Sequence, residues 1–299
     1  PFMDMRTITH ELHSGGQAEV RMDGDTFEME DQRNWTDASY KTYCTPLAVP
    51  FPVGIESGDT VEQSVTIRAL EVARTPRARG RADMTTPVVR LGEDVVGRVP
   101  SVGLGDSSHD AAPTEEEATR LQALGAQHLR VDIRPDGDGW RDHAARAATL
   151  AAQIDAPLEI ALLLPADDAS DEALRSVVEW TASERPRIAR WIALHDDLST
   201  TSARTFAAAR RALGAYTPDA PVGLGTDCYF TELNRDRPDV EDADFISYSI
   251  NPQVHAFDDA SLVETLEAQP VTVASARAFA GDAPVAVSPV TLRPRFNPN

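Results

Sequence analysis

The sequence is poor in cysteine, almost without lysine and free of long apolar runs. Its two cysteines, Cys44 and Cys228, stand far apart in no metal or redox spacing, so neither a disulfide framework nor a zinc site is signalled. The longest apolar stretches, such as Leu158–Leu164, fall well short of the ~20 residues that a membrane-spanning helix needs. Cations are scarce as well. The 28 Lys and Arg against 48 Asp and Glu leave a net charge of −20, which argues against nucleic acid and anionic membrane surfaces as partners. Lys41 is the only lysine; genomic composition bias accounts for the preference for arginine, and it leaves Lys41 chemically singular. No signal peptide is visible, so a cytoplasmic setting is expected. A start at Pro1 and a stop after the Pro- and Arg-rich run Leu292–Asn299 read as a piece of a longer polypeptide.

A hydrophobic content of 41% over 299 residues is enough for a packed core. Residues 1–84 read as all-β. Ala18–Met22 and Thr26–Met29 alternate around the turn Asp23-Gly24, a hairpin signal. Thr60–Leu70 alternates through Val61, Val65 and Ile67. These strands are too few to close a sandwich, so the segment is expected to be the C-terminal remnant of a sandwich-like domain plus a linker, Arg74–Thr86. Val88–Val99 is a candidate for one more strand.

Residues 85–299 change rhythm to strand, helix, strand. Candidate strands are Val102–Leu104, His128–Ile133, Leu158–Leu164, Arg190–Leu194, Val222–Gly225, Phe245–Ile250, Val271–Ala274 and Val285–Val287, short apolar runs of the kind buried on both faces. Helices between them carry start signals: a capping box at Thr114 and Glu117, Asp168 or Ser170, Thr201 or Ser202, and Asp258. Eight strands alternating with helices predict a (β/α)8 TIM-type barrel, of class α/β. An open doubly wound sheet is the alternative, but no G-x-G-x-x-G follows the first strand. The spacing of about ten residues between the seventh and eighth strands is the weak point of the count.

In such a barrel the site lies at the carboxyl ends of the strands. Those ends supply Asp106, Asp132 with Arg134, His195 with Asp196 and Asp197, then Thr226, Asp227, Glu232 and Asn234. Further on come Tyr248, Asn251, Gln253 and His255, and finally Ser288, Arg293 and Arg295. A rim of carboxylates, imidazoles, amides and tyrosines suits a polyhydroxylated ligand. Many of these groups have a plainer use, since Asp132, Asp196, Asp197 and Asp227 can all cap loops or helices.

Several motifs fail. The seventh candidate strand ends Val273-Ala274-Ser275 without the carboxylate that many barrel glycosidases place there, though Glu232 is an available substitute. There is no His-x-His on the first strand and no G-x-S-x-G elbow. A divalent metal at His195 or His255 is left open but unsignalled, and no cofactor is expected.

The run Phe27–Tyr43, dense in hydrogen-bonding side chains and containing Lys41, resembles the signature stretch of the D-apionate lactonase family. Phe230–Arg235, Tyr248–Asp258 and Leu292–Pro298 are similar to the same family. The resemblance implies a bacterial enzyme of apiose catabolism with a β-rich N-terminal domain, a barrel like those of glycoside hydrolases and a small C-terminal β domain. It implies a sugar-lactone hydrolase that opens D-apionolactone to D-apionate, with a small-molecule lactone as partner. Position and chemistry then nominate Glu232 or His255 as the base and His195 or Arg293 to polarise the carbonyl. Asp132, Arg134, Asp196, Asn234, Tyr248, Asn251, Gln253 and Lys41 are nominated to grip substrate. A glycosidase acting on a pentosyl or apiosyl substrate and a non-catalytic sugar-binding barrel are the alternatives.

Overall fold

The computed structural model describes residues 2–12, 16–30, 41–72, 92, 95, 97–106, 113–165, 170–197, 199–253 and 257–292. These divide into two compact units, one running to Arg98 and one starting at Val99.

The first unit is antiparallel. Strand β2 (Gly16–Asp23) lies between β1 (Thr7–Glu11) and β5 (Ser64–Val72), with Ile8 opposite Val20 and Met22 opposite Val65. A two-stranded ladder pairs β3 (Glu28–Met29) with β4 (Thr42–Tyr43). The expected hairpin around Asp23-Gly24 is therefore not formed: β2 pairs with β1 and β5, and Glu28–Met29 pairs elsewhere. The glycine has another use. Gly24 sits at φ +100, and a Cβ there would lie 2.1 Å from the Glu62 carbonyl oxygen. It admits the chain leading into β5. The candidate strand within Val88–Val99 lies mostly outside the described residues, and its described positions carry no strand.

The second unit holds a parallel sheet in the order β12-β11-β10-β9-β8-β7-β6. Its strands are β6 (Leu104–Gly105), β7 (Leu129–Ile133), β8 (Leu158–Leu164), β9 (Ile188–His195), β10 (Val222–Tyr229), β11 (Ile246–Ile250) and β12 (Val285–Val290). Sequential order means that every right-handed crossover moves the same way, so the helices collect on one side. They are α1 (Glu115–Ala123), α2 (Trp140–Gln153), α3 (Ser170–Glu184), α4 (Ala203–Tyr216), α5 (Phe230–Arg235), α6 (Asp259–Thr265) and α7 (Gln269–Arg277). The other side is covered by the sheet itself. Arg130 on β7 reaches Ser288 on β12, five places along the order, which requires the sheet to roll into a barrel.

Start signals match the helices where they can be checked. Thr114 and Glu117 form the reciprocal capping box of α1, and the Ser202 and Asp258 side chains cap α4 and α6. One expectation is overturned. Val271–Ala274 lies inside α7 rather than in a strand, so seven parallel strands stand among the described residues. Pro270 at the first turn starts the helix, and Thr272 and Ala276, four apart, are its buried face.

Alternation along each strand separates two environments. Leu158, Ile160, Leu162 and Leu164 of β8 join Leu129, Val131 and Ile133 of β7 in the main core beneath the helices. Facing inward, Ala161, Leu163, Ile192, Leu194, Phe245 and Ala286 form a smaller cluster. No described helix is long and apolar enough to cross a membrane.

Candidate active site

The inner face of the barrel carries ions. Arg130, Glu159 and Arg190 are register partners on β7, β8 and β9, near the amino ends of the strands. Glu159 is 0% exposed and is held by the Arg190 guanidinium and the Ser288 hydroxyl. His128 lies 3.5 Å away, and its burial pushes the imidazole below its ordinary range against the pull of Glu159. Burying a charge requires such pairing, because desolvation otherwise outweighs what the fold returns.

Arg130 joins this floor to the mouth. Its Nη1 donates to the Ser288 carbonyl at 2.7 Å and lies 3.7 Å from Glu159. Its Nε donates to Asp132 Oδ1 at 2.8 Å, and its Nη2 stands 3.6 Å from Asp227 Oδ1. One buried guanidinium thus hydrogen-bonds the carboxylate from β7 and stands at ion-pair distance from the one from β10, its Nη2 making no hydrogen bond among the described residues. Both are partly solvent-accessible, Asp132 at 34% and Asp227 at 21% of the side chain.

These two carboxylates line a cavity of about 370 Å³ at the carboxyl ends of the strands, together with Arg134, Trp140, His143 and Leu163. Arg134 is ion-paired with Asp196 at the rim. A larger cavity, about 1100 Å³, lies between α1 and α2 and extends to Asp106 and His143, the latter shared with the smaller cavity. It is mostly helix surface, whereas the smaller one gathers charges from several strands where barrel sites form, so the smaller one is the candidate.

The nominated residues scatter. Asp132, Arg134 and Asp196 come together at the mouth. Glu232 accepts the Tyr229 N–H at 3.1 Å and caps α5. Asn234 accepts from Arg237 Nη2 at 2.9 Å. His195 has the outward register of Trp191 and Ala193, and its Nδ1 accepts the Asp197 N–H at 3.0 Å. Tyr248 does not present its hydroxyl to the mouth: it is buried under α7, bonded to Thr272 Oγ1 at 2.8 Å, and burial pushes its pKa to about 12. Asn251 is buried too, donating to the Thr291 carbonyl at 3.0 Å and accepting the Gln253 N–H at 2.7 Å, so it ties β11 to the end of β12. Gln253 is partly exposed beside it. Lys41 belongs to the first unit, 3.9 Å from Glu30. His255 and Arg293 lie outside the described residues. The reading of the sequence passed over Arg130, Glu159, Arg190 and His143. Charged residues inside otherwise apolar strands were the available signal for the first three. Among the described residues, no group of three or more His, Cys, Asp or Glu is placed to hold a metal ion.

The fold and the charged mouth define a TIM-barrel protein whose polar groups converge at the carboxyl ends of its strands. The chain belongs to the D-apionate lactonase family: the family's N-terminal domain matches residues 1–72, and its TIM barrel domain matches residues 102–299. It is 38% identical over 312 aligned positions to the D-apionate lactonase of Brucella anthropi, an alignment that covers 100% of this chain and 50% of that protein. The chain thus spans about half the length of the curated relative it matches.

Proposed function

We propose that this chain carries the site of a sugar-lactone hydrolase that opens D-apionolactone to D-apionate by attack of water on the lactone carbonyl. The observation that carries the reading is the pair Asp132 and Asp227, gathered about Arg130 in a cavity of about 370 Å³. Carboxylates accept from vicinal hydroxyls, and Arg134 is the cation at the same mouth suited to a carbonyl oxygen becoming an oxyanion. The name of the relative supports the substrate class. Asp196 holds Arg134 in place. Glu232 and His195 are engaged elsewhere, which moves the search for the base to the mouth itself. His255, Arg293 and Lys41 stay as candidates for substrate contact. The acidic balance supports a small sugar lactone rather than nucleic acid as partner, in a cytoplasmic setting. The division into an all-β segment ending at residue 84 and a barrel from residue 85 belongs to the same reading.

The test is a pH-stat assay of D-apionolactone opening by the full-length protein. Asp132→Asn and Asp227→Asn are each expected to lower kcat/KM roughly 10- to 100-fold, since a charged hydrogen bond is worth about 1.5–3 kcal/mol. No proton release from the lactone with wild-type protein would end the lactonase reading.

One observation favours the glycosidase alternative. Ion-pair reaches of 2.8 and 3.6 Å about one guanidinium keep the two carboxylates within ~10 Å, the range of paired glycosidase carboxylates. Both, however, face the same Arg130, whereas glycoside hydrolysis needs its two carboxylates to flank the scissile bond. Release of nitrophenol from aryl pentosides, with no lactone opening, is the result that would favour it.

A further inference from the structure

The mouth contains an imidazole that neither the strand ends nor the family resemblance singles out. His143 sits in the first turns of α2, three residues after Trp140, and both side chains line the mouth cavity with Asp132, Arg134 and Asp227. Gly139, in the left-handed conformation at φ +73, starts the helix and sets that face toward the cavity. His143 Nε2 lies 3.8 Å from Asp106 Oδ2, at the carboxyl end of β6. Among the described residues its Nδ1 has no hydrogen-bond partner. The imidazole is 35% exposed and its carboxylate neighbour 16%, so water reaches the ring more readily than the group behind it.

From this arrangement we infer that His143, oriented by Asp106, is the general base that activates water for lactone opening. The inference rests on the lactonase reading above. With Nε2–H directed at Asp106, the lone pair falls on Nδ1, the nitrogen left for a water proton. The separation of 3.8 Å is an ion-pair distance rather than a hydrogen bond, and the attraction across it grows as the ring gains charge. Water oxygen bonds to the lactone carbonyl carbon while His143 takes its proton. Collapse of the tetrahedral intermediate breaks the ring C–O bond, and the imidazolium returns the proton to the departing alkoxide. The products are a hydroxyl and a carboxylic acid, whose ionisation releases the proton that the assay records. Asp106 is a positioning residue in this scheme.

The experiment compares wild-type full-length protein with His143→Ala, His143→Gln and Asp106→Asn on D-apionolactone, with and without added imidazole. His143→Ala is expected to lose about 10²–10⁴ in kcat with KM little changed, the span usual for a positioned base. Added imidazole should restore part of that loss in His143→Ala and none in the bulkier His143→Gln. Asp106→Asn should lower kcat less and not respond to imidazole. A His143→Ala protein that keeps a near wild-type kcat, or a loss that imidazole does not repair, overturns the assignment. If wild type leaves the lactone intact, the lactonase reading fails and the base falls with it; if wild type opens it, the variants judge His143 alone.

Discussion

On the outer face of β8 stand Leu158, Ile160, Leu162 and Leu164; on its inner face stand Glu159, Ala161 and Leu163. The same contrast repeats on β7, where Leu129, Val131 and Ile133 pack under helices while Arg130 and Asp132 turn inward. The outer face is held by apolar area, a term that is non-directional and tolerant of exchange. The inner face is held by geometry: each charge is acceptable only while its partners stay in place. Stability and site construction are thus assigned to opposite sides of one sheet, and a fault on the inner side disturbs both.

The sharpest test of that contrast is Glu159→Gln against Leu162→Ala, read as shifts in the urea midpoint. Removing the carboxylate takes from the half-buried Arg190 its hydrogen-bonded anion and from the buried Arg130 one of its three described carboxylate neighbours, and is expected to cost about 3–5 kcal/mol. The leucine truncation should cost about 2–5 kcal/mol, through a cavity alone. Only the first should also reduce sugar binding at the mouth, because Arg130 carries the disturbance to Asp132 and Asp227. A Glu159→Gln protein with an unaltered midpoint would break the comparison.

A smaller effect concerns pH. Burial holds the His128 imidazole below its ordinary range in the folded protein, while the unfolded chain takes up a proton at an ordinary imidazole pKa of about 6.5. The unfolded state then binds more protons, so stability falls as pH drops below that value. Denaturant midpoints collected between pH 7 and 5 should decline in wild type and decline less in His128→Gln; parallel curves would remove His128 from the account.

Smallest is the cap of α1. That helix buries none of its residues fully, so Thr114→Ala should cost it about 0.5–2 kcal/mol locally. The signature is faster amide exchange confined to the first turn, with the global midpoint unmoved. A shift in the global transition would mean that α1 is coupled to the barrel more tightly than its burial indicates.

The two faces also differ in how legible they were. Leu158–Leu164 reads as a buried strand to the residue, because apolar runs and helix caps are local signals. Glu159 is hidden inside that same run, since one charge in seven residues does not disturb an apolar pattern. Nor can chain proximity reveal that Arg130 meets Ser288, 158 positions away. His143 looks like any polar residue of an Ala-rich helix until β6 and β7 bring Asp106 and Asp132 to it. Val271–Ala274 misled for the opposite reason: two β-branched valines imitate a strand, and only the spacing of Thr272 and Ala276 shows the helix.

Gly223 on β10 has a consequence for the ion array inside the barrel. A Cβ there would lie 2.5 Å from the Phe245 ring, and that ring in turn lies 5.4 Å below the Arg190 guanidinium. Phenyl, guanidinium and the fully enclosed Glu159 are thus stacked in sequence on the inner side of the sheet. The absence of one methyl group at position 223 leaves the ring its seat, and the ring in turn lies against the cation that answers the buried carboxylate.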